Sequence, residues 1–191
     1  MANVNRPNGL TPIGTLDGSP YNNAIRVYSV ASGNGTAIFQ GDAVILNDDG
    51  TVSPATAGAA LLGVCTGVVV NRAIAATEHP GYLPASTAGY VEVCVGTDVL
   101  YEIAEDSVGG AMVATNVGSN GDLVAGAGST TTGRSGHVLD SSDVIANDAT
   151  PASAQLRVIA LVPREDNAVG NYARWIVRIN ESQNALGGLG L

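Results

Sequence analysis

Residues 38–70, IFQGDAVILNDDGTVSPATAGAALLGVCTGVVV, limit what this chain can fold into more tightly than any other stretch. Ile38 and Phe39 lead into Gly41-Asp42, a turn signal, and Ala43 to Leu46 make a second apolar run. Asn47-Asp48-Asp49-Gly50 has the chemistry of a hairpin loop, and a third apolar run over 61–70 closes the unit. Runs this short, punctuated by Gly-Asp and Asp-Gly, predict strands joined by tight turns. They hold no catalytic constellation.

The same construction recurs along the chain. Residues 24–30 alternate, with Ile25, Val27 and Ser29 facing one way and Arg26, Tyr28 and Val30 the other. Residues 90–95 and 98–104 alternate as well, and 156–162 and 172–180 read as two further strands; in the last, Trp175, Val177 and Ile179 share one face and Arg174 and Arg178 the other. Only residues 107–116 read as a helix, with Ser107 as N-cap, and Gly109 and Gly110 weaken it. One Phe and one Trp leave the core to Val, Ile, Leu and Ala, so part of the folding energy is expected from neighbouring subunits. The expected fold is all-β, a single β-sandwich or partly closed β-barrel domain with an extended N-terminal arm. The arm covers 1–23; the β domain covers 24–182, with long loops at 77–89 and 118–150; a Gly-rich tail covers 183–191.

A net charge of −9 argues against nucleic acid as a partner. All eight cations are Arg and none is Lys, and Arg is the cation suited to interfaces because its planar fork pairs with carboxylates. Arg134 in its loop, and Arg174 and Arg178 on one side of a strand, are therefore interface candidates. Cys65 and Cys94 sit in apolar runs and read as buried free thiols, with a bridge possible only if their strands are neighbours. Neither a membrane-spanning run nor a Sec-type export signal is seen.

The candidate chemistry is thin. His79 and His137 lack partners at metal-ligand spacing. Gly133-Arg134-Ser135-Gly136-His137 with Asp140 offers triad residue types, but six neighbouring loop residues are not how a triad assembles. Residues 47–50 and 140–143 have oxygen ligands for Ca²⁺, yet turn chemistry explains the first better. We expect no enzyme, no cofactor and no metal.

Residues 1–23 carry Pro7, Pro12, Pro20 and three Gly and too few apolar groups for their own core; Leu10, Ile13 and Leu16 at regular spacing read as anchors of an arm on a partner, the alternative being a disordered leader. Deleting the arm is expected to leave a folded β domain. Several motifs then fall into one pattern: Asn8-Gly9-Leu10-x-Pro12, Ile38-Phe39-x-Gly41-Asp42-x-Val44, Asp49-Gly50-Thr51-Val52, Leu62-Gly63-Val64, Asp166-Asn167 and Arg174-x-x-Val177-Arg178-Ile179-Asn180. Together they resemble the capsid cement (head decoration) proteins of tailed bacteriophages over nearly the full length. The resemblance implies a structural virion protein on the outer capsid surface, made in the host bacterial cytoplasm. Its partners would be the major capsid protein and further copies of itself, as a trimer rather than a dimer, and it brings no catalytic residues. The Gly/Ser/Thr-rich loop at 126–136 departs from the pattern. The alternative is a β-rich glycan-binding or surface-attachment module using Tyr82, Tyr90 and Trp175.

Overall fold

The computed structural model describes residues 3–21, 24–69, 81–146 and 154–185, and within them the alternating runs become strands. One antiparallel sheet of five strands runs in the order β1 (Thr11–Thr15), β7 (Val99–Ala104), β12 (Arg174–Ile179), β11 (Leu156–Leu161) and β8 (Asn120–Gly121). We call it the front sheet. The back sheet, also of five antiparallel strands, runs β2 (Ile25–Val30), β6 (Gly89–Cys94), β5 (Gly63–Val69), β3 (Ala43–Leu46) and β4 (Val52–Pro54). A small ribbon pairs β9 (Leu123–Val124) with β10 (Val138–Leu139). The fold is all-β.

Strand periodicity decides what is buried. In β12 Trp175, Val177 and Ile179 point inward, and Val99, Tyr101 and Ile103 of β7 do the same. This inner face of the front sheet meets Ala43, Val64 and Cys94 of the back sheet, with Leu10 and Met112 filling in from the connections and Leu139 from the ribbon. A second core lies on the other side of the back sheet, where Val44, Cys65, Val91 and Val93 pack under Ile38 and Leu83. The 38–69 segment feeds both cores, which is why its alternation is so dense. Its hairpin is held by Asn47 N donating to Thr51 O at 2.8 Å, and by Asp49 Oδ1 accepting the Thr51 N–H at 2.9 Å and its hydroxyl at 2.6 Å.

Cys65 and Cys94 do lie on neighbouring strands, but Cys65 pairs with Val93 and Val64 with Cys94, so the two thiols enter opposite cores and stay free. Burial pushes the Cys65 thiol up to about 12, which leaves it unreactive in the folded protein.

Three expectations are corrected. Residues 107–116 do not form a helix: Ser107 has φ 60° and Gly109 φ 81°, and only a single 3₁₀ turn, Ala114–Asn116, survives. The Ser107 hydroxyl instead accepts the Tyr172 N–H at 2.6 Å. Among the described residues the α-helix is α1 (Ser141–Ala146), capped by Asp140, whose Oδ1 accepts the Asp143 N–H at 3.0 Å. Residues 1–23 do not stand apart as an arm, because 11–15 are β1 of the front sheet. The tail boundary at 183 is also inside the packing: the Gln183 amide accepts the Leu46 N–H at 2.7 Å and donates to its carbonyl at 3.1 Å. Of the long loops, 77–80 and 147–150 fall outside the described residues, as do His79 and 186–191.

The glycine-rich loop has a definite role. A Cβ on Gly126 would lie 2.2 Å from the Gly136 carbonyl oxygen, and one on Gly128 would lie 2.3 Å from the Phe39 ring. Two backbones cross there at a distance only glycine permits, which locks the 126–136 excursion onto the 38–42 turn.

Candidate functional site

The surface with most to offer a partner is built around β1. This strand pairs with β7 on one side and with no described strand on the other, so its outer N–H and C=O groups form an open sheet edge. Pro12, tolerated because an edge strand need not donate at every position, and a bulge at Ile13 bend it. Ile13 and Leu16 stand 44% and 51% exposed. Leu10, grouped with them by sequence spacing, is 1% exposed and belongs to the core. The reason is local: Leu10 N donates to Gly41 O at 2.9 Å, and Gly9, at φ 65°, lets the chain pass against Gly41 and Ser135. Leu10 is therefore not a partner anchor.

On one side of β1 lies a groove of about 530 Å³. Arg174 of β12 and Arg164 of the loop between β11 and β12 both reach one oxygen of Glu102 on β7, at 3.1 and 3.0 Å. Arg174 also donates to the Arg6 carbonyl at 2.9 Å, and Arg164 to Asp166 at 3.2 Å. Asn3 closes the far wall, its amide donating to Ala168 O at 2.7 Å and accepting the Ala168 N–H at 3.0 Å. On the other side, a cavity of about 360 Å³ is lined by Arg134, Gln40 and Glu92. Thr11 lines both. Ile13, Leu16, Arg134 and Arg174 are thus gathered around one strand. Arg178 lies further along the outer face of β12, directly across from Arg157 of β11 and Leu100 of β7. Arg6, Arg157 and Arg164 were not singled out from sequence. Arg157 alternates between Leu156 and Val158, a signal for an outward residue, but its alignment with Arg178 is set by register alone.

A second cluster joins two residues that are neighbours in sequence, Ser135 and His137, to one that is not. His137 is joined not by Asp140 but by Asp42, whose Oδ1 lies 3.5 Å from His137 Nε2. Asp42 Oδ2 accepts the Phe39 N–H at 2.8 Å, and Ser135 Oγ accepts the His137 N–H at 3.0 Å. Asp, His and Ser are all buried. The arrangement does not make a nucleophile, however. His137 Nδ1 accepts the Ala43 N–H at 3.3 Å and Nε2 faces Asp42, so neither ring nitrogen is left to take a proton from Ser135. The cluster is a buried clasp between the 38–43 turn and the glycine-rich loop.

Burial holds the His137 pKa below its usual 6.5, the Asp42 carboxylate opposing, and raises that of Asp42. The Ala43 N–H on Nδ1 fixes the imidazole as neutral. Because the folded pKa is lowered, the unfolded chain binds the extra proton below 6.5 and stability falls as the solution is acidified. Asp42 acts in the opposite sense, its contribution being lost as pH rises above 3.8. The unfolding free energy from urea titration should therefore drop between pH 7.5 and 5.5, with a slope that stays below about 1.4 kcal/mol per pH unit, and His137→Gln should flatten that limb. An equal drop in the variant would assign the effect elsewhere.

Of the aromatics considered for a sugar platform, one is enclosed in the core and one is half-buried. Trp175 is fully buried with Nε1 donating to Glu105 at 3.2 Å, and the Tyr82 ring stacks on Phe39 at 4.7 Å between centroids. Tyr90 is exposed. Compared with known families, curated proteins and solved structures, the chain finds no match.

Proposed function

We propose that the protein is a structural component of a phage virion that attaches to the outer capsid surface and braces the shell by bridging major capsid subunits. The observation that carries this reading is the open β1 edge, with Ile13 and Leu16 exposed on it and an arginine-bearing cavity on each side. Pro12 and the Ile13 bulge interrupt this edge for long strand pairing, so a partner is engaged chiefly through the exposed apolar side chains and the arginines beside them, with short backbone pairing on either side of the bend. The sequence resemblance to cement proteins supports the same reading. So does the use of the buried Asp42, His137 and Ser135 on the protein's own backbone.

The test is co-sedimentation with empty shells of the phage that encodes the chain. An Ile13→Asp/Leu16→Asp variant should lose at least about tenfold in shell occupancy while its melting temperature changes little, since exposed substitutions cost within about 0.5 kcal/mol. Undiminished occupancy would remove the edge from the interface.

A further inference from the structure

Only four residues in the strands of the front sheet are charged: Glu102, Arg157, Arg174 and Arg178. Arg174 shows how a guanidinium is satisfied on this face, through the Glu102 carboxylate and the Arg6 carbonyl. Arg157 and Arg178 are treated differently. They are direct cross-strand partners, a placement in which like charges repel. No hydrogen bond or ion pair from a described residue reaches either guanidinium, and Arg178 Nε is closed off from solvent without an acceptor. Leu100 and Ile176, half-buried beside them on the same outer face, leave an apolar surround that strengthens any charge brought there.

We infer that the Arg157–Arg178 pair is a docking site for a carboxylate from an acidic side chain on a protein partner. One carboxylate placed between the two forks would cancel their repulsion and accept from both, the planar match for which Arg is suited. A protein carboxylate fits better than a nucleic-acid duplex, because two arginines suffice for one carboxylate but cannot offset the run of phosphates that a duplex presents to a chain of net charge −9. The inference rests on the capsid reading to the extent that the acidic partner is the shell; the site itself does not depend on it.

The experiment uses the full chain and its Arg157→Gln/Arg178→Gln variant, with immobilised poly-L-glutamate, duplex DNA and empty shells as probes at about 50 mM and 200 mM salt. Wild type should be retained on poly-L-glutamate at low salt, at least about tenfold more than the variant, and shell binding should fall in parallel. The variant should melt at the same temperature or higher, since it relieves a like-charge pair. A merely structural role predicts the reverse, and a lower melting temperature with unchanged retention overturns the proposal. Arginine-dependent binding to DNA with none to poly-L-glutamate overturns it in favour of a phosphate partner. If wild type binds poly-L-glutamate through these arginines but no shell, the capsid reading fails and the carboxylate site stands.

Discussion

A chain that begins after residue 16 is expected to be unfolded, or nearly so, at room temperature. The sequence alone suggests the opposite, that residues 1–23 can be removed from an intact β domain. The truncation takes away β1, turning β7 into a bare edge, and the Asn3 clasp on the 168–171 turn. Above all it removes Leu10, fully enclosed by the main core. Leu10→Ala alone should cost about 2–5 kcal/mol, since the enclosure cannot collapse onto the vacancy, out of a total stability of about 5–15 kcal/mol. Urea unfolding followed by circular dichroism tests both versions. If the truncated chain showed a cooperative transition at the wild-type midpoint, the N-terminal segment would be an appendage after all.

Trp175→Ala should be the most damaging single substitution. The indole is fully buried at the centre of the front sheet's inner face, and truncating such a side chain costs about 3–5 kcal/mol. Its Nε1 also donates to Glu105 Oε2 at 3.2 Å, and Glu105 is itself buried, accepting the Met112 N–H at 3.0 Å on the same oxygen. Loss of the indole leaves a buried carboxylate short of a donor, a further cost of about 1–3 kcal/mol. A fall in melting temperature of about 8–30 °C follows at roughly 2–4 °C per kcal/mol for a domain of this size. Trp175→Phe separates the two effects, because it keeps most of the packing and loses the hydrogen bond. A Trp175→Ala melt within about 2 °C of wild type would contradict the placement of this ring.

What could be read from sequence depended on range. The β12 strand was legible because Trp175, Val177 and Ile179 alternate strictly with polar or half-buried neighbours, and a period of two is a local property. The 47–50 hairpin was legible because Asp-Gly turn chemistry is local too. Leu10 and Ile13 carried the same signal, yet one is core and the other surface; the difference lies in Gly41, some thirty residues away, whose carbonyl draws Leu10 inward. The helix was misplaced for a similar reason. Ser107 looked like an N-cap, but its hydroxyl is taken by Tyr172, while Asp140, read as a possible ligand, caps α1. The Asp42–His137 contact and the Arg157–Arg178 pairing are products of chain crossing and strand register, which composition and spacing do not encode.

The order of strands in the front sheet has a consequence for biosynthesis. β12 is the last of the described strands to leave the ribosome, yet it occupies the middle of that sheet, between β7 and β11. Its pairing with β7 joins residues such as Arg174 and Ala104 that are far apart in the chain, a contact that is slow to form. Until residue 179 has emerged, Arg174 and Arg178 cannot be set beside Glu102 and Arg157, and β7 has no neighbour on that side. Nascent and prematurely terminated chains therefore lack the arginine face altogether. Competence to dock arrives in one late step, when the central strand slots in.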